Sequence, residues 1–438
     1  MAEGNLFAQR RDAFFQAMSA RDPKAVAVIS SAPVAIRNND VEHDYRQDSD
    51  FYYLSGFEEP ESVLVLQANG RKVTMFVRPR DAEREVWDGA RAGVDGAVSA
   101  FGASQAFAIG ELASKLPGLM EHAERLYYRV GRDRSFDEKV FSALESIRRT
   151  KGTRDNCPYE IVDPGSILHE MRLRKSDGEI ECMRRAASIT KEAHIAAMRA
   201  AKPGMFEYEL EAILLETFRK RGSPRVAYGS IVGSGPNATT LHYTANTRKM
   251  LDGELVLIDA GCEVGFYASD VTRTFPVNGR FSKEQRAIYE IVLAAQLAGI
   301  DAVRVGSTNE HIHRAAVEAV TSGLVRIGLL SGSVTELIEK EKYKPFFMHG
   351  TAHWLGLDVH DVGRYKSAGA ARPLQPGMVT TVEPGIYIAE NCTTVAPEWR
   401  GIGVRIEDDV LVTEHGPDVL TRGVPKTVDE VESTCLAS

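Results

Sequence analysis

Leu255-Val-Leu-Ile-Asp259-Ala-Gly261 ends an apolar, strand-like run on a carboxylate. Four stretches further along repeat the pattern, each setting an acid or a histidine beside a short apolar run. They are Tyr267-Ala-Ser-Asp270-Val-Thr-Arg-Thr-Phe-Pro276, His349-Gly-Thr-Ala-His353-Trp-Leu-Gly-Leu-Asp-Val-His360, Thr380-Thr-Val-Glu383-Pro-Gly-Ile-Tyr387 and Gly403-Val-Arg-Ile-Glu407-Asp-Asp409. A carboxylate at the end of such a run is costly to bury unless it is paired or bound to a cation. Asp259, Asp270, His353, Glu383 and Glu407 therefore read together as one metal site. Four carboxylates carry four negative charges, which two divalent cations cancel. Oxygen ligands with one imidazole suit manganese, zinc, cobalt or iron better than a thiolate-seeking ion. Two ions about 3.5–4 Å apart share a water, lower its pKa and stabilise both the attacking and the leaving atoms.

Each residue also has a plainer reading. Asp259 and Asp270 stand eleven positions apart with Gly261 and Gly265 between them, so two adjacent antiparallel strands would aim both carboxylates at one spot. Alone, Asp259 could simply end a strand and Asp270 cap a turn. Three of the eleven histidines fall within the twelve residues from His349 to His360, an unusual density, although a lone histidine is more often an ordinary surface or core residue. The Pro384-Gly385 pair bends the chain just after Glu383. Arg405 lies two residues before Glu407, on the same strand face. Asp408 and Asp409 read as a solvated acidic turn, and His242, in Thr240-Leu-His-Tyr243, would otherwise be a surface residue.

The rest of the chain bounds the answer. A length of 438 residues implies two or three domains, and 43% hydrophobic with 26% charged residues is ordinary for a soluble globular protein. A net charge of −8 disfavours a nucleic-acid-binding surface. The N-terminal stretch lacks the apolar core and cleavage pattern of a signal peptide. No run is long and apolar enough to span a membrane; the best, Ile291 to Ile300, is short and contains Gln296. Cys157, Cys182, Cys262, Cys392 and Cys435 lie far apart with no framework spacing, which predicts free thiols in a reducing cytoplasm.

Residues 5–19 read as a helix with Phe7, Phe14 and Met18 near one face. Ala25 to Ile29 and Val63 to Leu66 read as buried strands, and the Asn69-Gly70 turn before Lys72 to Val77 predicts a hairpin. Helix and strand then alternate to about residue 150, an α/β pattern without metal-ligand spacing of its own. Turn formers from Lys151 to Gly165 mark a boundary, giving domains 1–165 and 166–438. Ser176-Asp-Gly-Glu179 is a capping box that opens a long helix. Phe206, Leu210, Ile213, Leu214 and Phe218 repeat at helical spacing, and Ser282-Lys-Glu-Gln285 caps a third helix. Short strands between these helices carry the acids and histidines, so the second half is α+β.

At the five quoted stretches the sequence resembles the pita-bread metallopeptidases, in the aminopeptidase P and prolidase branch. The resemblance extends to Tyr45-Arg-Gln-Asp-Ser-Asp-Phe-Tyr-Tyr-Leu-Ser-Gly-Phe-Glu-Glu-Pro60, which is similar to that family's N-terminal domain. It implies an α/β N-terminal domain followed by an α+β pita-bread catalytic domain of two pseudo-symmetric halves. It implies that Asp259 binds one metal, that His353 and Glu383 bind the other, and that Asp270 and Glu407 bridge them, with manganese the first expectation. A bridging hydroxide would attack the scissile carbonyl. Glu383 would take its proton and pass one to the leaving nitrogen, and His242 and His360 would stabilise the oxyanion or place the substrate. His349, Arg405 and Tyr387 would line a proline pocket. Arg37, Asp40 and Trp87 fall where the family has residues near the substrate entrance, sometimes from a neighbouring subunit of a homo-oligomer, a dimer or tetramer. The implied activity is a cytoplasmic, metal-dependent aminopeptidase acting on peptides with proline second. A prolidase that cleaves Xaa-Pro dipeptides shares all five ligands. An inactive pita-bread binding protein or a metal-free creatinase-like hydrolase would be expected to lack one or more of them.

Overall fold

Strand Val26–Ser30 is apolar from Val26 to Ile29 because both of its faces are covered there. The computed structural model describes residues 3–151, 157–367 and 369–437, in two compact units that divide between Met171 and Arg172. Residues 152–156, within the turn-rich boundary segment, lie outside the described residues. Val26–Ser30 is an inner strand of a six-stranded mixed sheet in the first unit. It pairs antiparallel with Val63–Gln67 and parallel with Arg125–Tyr127. Val63–Gln67 continues through the Asn69–Arg71 turn into Lys72–Val77, the expected hairpin, with Gly70 at φ +76° where a side chain would be strained. Helix Glu3–Arg21 buries Phe14, Phe15 and Met18. Arg37 lies on the exposed strand Ile36–Asn38, Asp40 in the turn after it, and Trp87 on helix Ala82–Asp88 with 84% of its surface exposed.

The second unit is α+β. The capping box at Ser176 and Glu179 is formed, with Ser176 N donating to Glu179 at 2.8 Å, and it starts the helix Asp177–Ala200. Helices Glu207–Lys220 and Lys283–Asp301 follow where the apolar spacing and the Ser282 cap place them. Their buried faces, with Ala193, Leu214, Phe218, Ile288 and Val292, share one core with strand residues Val256, Ile258, Phe275, Ile386 and Val404. Antiparallel strands beneath the helices supply the site. Leu255–Asp259 is flanked by Ile231–Ser234 and Thr272–Pro276. Val379–Val382 pairs with Asp408–Thr413, and Gly385–Ile388 pairs with Ile402–Arg405. The two long strands of this second hairpin are each interrupted at the same level. Glu383 and Pro384 fill the gap in one, Ile406 and Glu407 the gap in the other. Among the described residues no helix is long and apolar enough to cross a membrane, and all five cysteines are free.

Candidate metal centre

Asp259 closes its strand in register with Thr272, and Asp270 stands two residues before that partner, so the two carboxylates reach the same end of the sheet. The approach is tight. A Cβ on Gly261 would lie 1.9 Å from the carbonyl oxygen of Ser269, so only glycine lets the two acid-bearing segments cross there. Tyr228 joins them: its hydroxyl lies 2.6 Å from Asp259 Oδ1 and 2.5 Å from Asp270 Oδ1. Glu407 is tied to the same sheet through its backbone, with Glu407 N donating to Thr272 O at 3.1 Å, and Thr272 Oγ1 donates to Glu407 Oε2 at 2.6 Å.

His353 completes the cluster. One oxygen each from Asp270 and Glu407 and one ring nitrogen of His353 lie within 4.8 Å of one another. His353 Nε2 is 3.4 Å from Asp270 and 3.6 Å from Glu383, while Nδ1 is 3.1 Å from the carbonyl of Trp354. Burial alone would depress its pKa, but the hydrogen bond and charge of Asp270, with Glu383 behind, raise it to about 9. A histidine whose Nδ1–H is held by a backbone carbonyl has its other nitrogen fixed in direction, the usual arrangement for a metal ligand.

The acids repel one another. Burial raises Glu383 to about 7, with Asp270 and Asp259 adding to the rise and His353 and Arg405 opposing it. Glu407 is driven well up by burial and by Asp270, Glu383 and Asp259. Asp259 is also raised by burial, against the pull of Arg405. Asp270 goes the other way, because His353 and Tyr228 outweigh its burial. The donor set is thus short of positive charge, and divalent cations suit it.

Arg405 is the fixed counter-charge. Its Nη2 donates to Asp259 at 2.5 Å, Nε to Thr272 Oγ1 at 3.1 Å and Nη1 to Tyr387 Oη at 3.0 Å. Tyr387 in turn faces His349 Nε2 at 2.9 Å, and His349 Nδ1 is 2.6 Å from Gly350 O. Only Nδ1–H can donate to a carbonyl, so Nε2 is the acceptor and Tyr387 gives its proton to it. The neutral ring fits a pKa lowered to about 4 by burial and Arg405.

A cavity of about 450 Å³ opens over these groups. Tyr228, Leu241, His242, His349, His353, Val359, His360 and Arg405 are among its walls, with Asp259, Asp270, Glu383 and Glu407. His242 and His360 are exposed, and the His360 ring meets His353 edge to face at 4.5 Å. All ten residues singled out from the sequence in this half therefore line one cavity or, for Tyr387, stand behind its wall in contact with Arg405 and His349.

Asp408 and Asp409 are a correction. They are 1% exposed and not a solvated turn. Asp408 accepts from Arg273 at 2.7 Å, Lys426 at 2.7 Å, Gln296 at 2.8 Å and Thr421 at 2.7 Å. Arg273, itself fully buried, also donates to the carbonyls of Thr272 and Glu407. Asp409 accepts the backbone N–H of Asp270 at 3.1 Å. Both acids thus hold the backbone that carries the site. Tyr228, Thr272 and Arg273 were equally unmarked. Thr272 and Arg273 stand inside a quoted stretch, whereas Tyr228 lies outside all five.

Buried acids gathered round one histidine, at the floor of an open cavity and on interrupted antiparallel strands, define a class, the metal-dependent hydrolases. Within it the chain belongs to metallopeptidase family M24, whose profile matches residues 181–414. The aminopeptidase P N-terminal domain profile matches residues 7–127. A Xaa-Pro aminopeptidase of Escherichia coli (strain K12) is 45% identical over 437 residues, which cover 99% of this chain and 98% of that one. The structure of Pseudomonas aeruginosa aminopeptidase PepP superposes with a TM-score of 0.97 at 52% identity, over 99% of this chain and 98% of that one. A zinc-substituted E. coli aminopeptidase P in complex with product gives a TM-score of 0.96 at 44% identity, with coverage of 99% and 98%. The chain thus has an α/β N-terminal unit and an α+β pita-bread catalytic unit.

Proposed function

We propose that this chain is an aminopeptidase that uses two divalent metal ions, manganese first among them, to cut the bond before a proline in second position. The observation that carries the reading is the convergence of Asp259, Asp270, Glu383, Glu407 and His353 beneath one cavity. Full-length likeness to Xaa-Pro aminopeptidases supports the substrate class. Asp259 would hold one ion and His353 and Glu383 the other, with Asp270 and Glu407 shared. When bound, such ions polarise a carbonyl and make water a nucleophile near neutral pH.

The chain's own groups do the rest. Glu383, in the cavity wall beside His353, would take a proton from water and return one to the leaving nitrogen. Exposed His242 and His360 face the cavity and would place the substrate and donate to the developing oxyanion. His349 and Tyr387 would stand against the proline ring. Arg405 has partners on Nε and both Nη atoms, so it serves that pocket as a fixed charge and a rigid wall. A cytoplasmic setting belongs to the proposal and is supported by the five unpaired thiols.

The test is hydrolysis of a Xaa-Pro-Yaa peptide with metal content measured on the same sample. Chelation should abolish turnover, and manganese should restore it at least as well as zinc. Full activity in a metal-free sample overturns the reading.

A further inference from the structure

We propose that Glu207 is a positioning residue for His242, acting through the loop that carries it. The inference rests on the reading of His242 as a substrate-handling group. Glu207 begins the helix Glu207–Lys220, and its side chain is fully buried. Oε1 accepts from Ser234 N at 2.7 Å, Ser234 Oγ at 2.8 Å and Asn237 Nδ2 at 3.2 Å. Oε2 accepts from Tyr243 Oη at 2.8 Å and Arg248 N at 2.8 Å. Every one of these donors belongs to the segment from Ser234 to Arg248, which leaves the strand Ile231–Ser234, passes His242 at the cavity wall and returns.

Burying a carboxylate is costly, and that cost is recovered only when its lone pairs are filled. Here they are filled from both ends of one loop at once. The base of the loop has other ties. Arg248 pairs with Glu254 at 2.6 Å, and Asn246 accepts from Val232 N and donates to Ser230 O, each at 2.9 Å. Those ties stop short of the tip, where Leu241 and Tyr243 pack against Ile231, Ala238, Leu257 and Tyr387. Of the donors to Glu207, Tyr243 is the residue adjacent to His242, so its hydroxyl carries the constraint to the imidazole. A glutamine at 207 would present an N–H₂ to one of the two donor sets, and that half of the loop would loosen.

The test is a double-mutant cycle on the metal-loaded enzyme, with a Xaa-Pro-Yaa peptide as substrate and metal content and melting temperature recorded for each variant. Glu207→Gln should lower kcat/KM by about ten-fold, the size of a lost outer-shell contact, with both metals retained. In the His242→Ala background the same change should cost less than about two-fold, since the residue it positions is gone. Tyr243→Phe removes the single hydroxyl and should follow the same pattern at smaller size; it runs the cycle alone if Glu207→Gln does not fold. Equal losses in both backgrounds, or wild-type kcat/KM in the Glu207 and Tyr243 variants while His242→Ala is impaired, overturn the positioning role. Wild-type turnover in His242→Ala is the different result that removes the reading of His242 itself.

Discussion

Asp270 is held from its side chain and its backbone at once. Tyr228 and His353 approach its carboxylate, and its backbone N–H rests on Asp409. Asp270→Asn keeps the shape and removes one charge and one ligand oxygen. It should cost at least one bound metal and most of kcat, with melting little changed; near-normal turnover with both metals bound would make Asp270 a turn residue. Asp361 offers a test away from the metals. Its buried carboxylate accepts from Arg172 at 2.6 Å and Lys175 at 3.0 Å, beside His360. Burial would raise its pKa, but Lys175 and then Arg172 hold it below the ordinary 3.8. A depressed carboxylate stabilises the fold fully above its unfolded pKa, and that contribution is lost as pH falls through the lower folded value. Asp361→Asn should therefore cost about 3 kcal/mol near neutral pH. The gap to wild type should close below about pH 4, as read by denaturant titration across pH. A gap that stays constant into acid would show that the ion pairs are not the cause. The acids and histidines of the site were legible in the sequence because each follows or precedes an apolar run. Tyr228 was not, because nothing local marks a hydroxyl whose partners lie about thirty to forty residues away. Asp408 and Asp409 were misread for a related reason: their burial depends on Arg273, Lys426 and Thr421, which no local window contains.

Elements set the spacing between these residues. The helices were readable from caps and apolar periodicity, and the segment from Leu255 to Pro276 from its apolar runs and turn glycines. The interruption of both strands of the second hairpin was only half visible. Pro384-Gly385 marks the break after Glu383, whereas the break at Glu407 follows from cross-strand register, Val382 facing Asp408 and Gly385 facing Arg405. The interruption matters because it frees two carboxylates from the pleat at the same level, with Glu407 N donating to Thr272 O and Glu383 N to Thr351 O. Gly261 is the corresponding device in the first sheet. Its crossing with Ser269 is locked by Ala260 N donating to Val271 O at 3.1 Å and Ser269 N to Cys262 O at 3.0 Å. Gly261→Ala must push these backbones apart, since the added carbon would sit 1.9 Å from Ser269 O. A shift of about 1 Å in reacting groups can cost on the order of a hundred-fold in rate, and overpacking costs about 1–3 kcal/mol. The variant should show both, with reduced metal content. Wild-type activity with an unchanged melting temperature would mean that the two acid segments are not held by this contact.

For the whole molecule the deciding question is how the catalytic cavity treats the far side of a proline. A bond before proline is a tertiary amide, with no N–H to donate and a ring that fixes φ. Its cleavage calls for a ring-shaped pocket and a proton for the departing nitrogen, the roles proposed for His349 with Tyr387 and for Glu383. A dipeptidase needs one thing more, a free cation to grip the carboxylate of the proline. Among the described residues that line the cavity, the one arginine is Arg405, and there is no lysine. Arg405 is committed to Asp259, Thr272 and Tyr387. The remaining cationic candidates, His242 and His360, stand exposed on the wall, and His360 is held below the ordinary histidine pKa by burial and by His353. Neither a lysine nor an unengaged arginine of the cavity wall is there to meet a free carboxylate, whereas a continuing peptide would need none. The N-terminal unit, which matches the aminopeptidase P N-terminal domain, argues for the same choice. Xaa-Pro-Yaa tripeptides should therefore be cut with higher kcat/KM than Xaa-Pro dipeptides, and Xaa-Ala-Yaa hardly at all. His349→Ala should lose much of the rate on Xaa-Pro-Yaa with both metals in place. A dipeptide clearly preferred over the tripeptide would make the chain a prolidase and would require a carboxylate partner beyond the groups described in this cavity. Equal cleavage of Xaa-Ala-Yaa would show that His349 and Tyr387 do not select the proline ring.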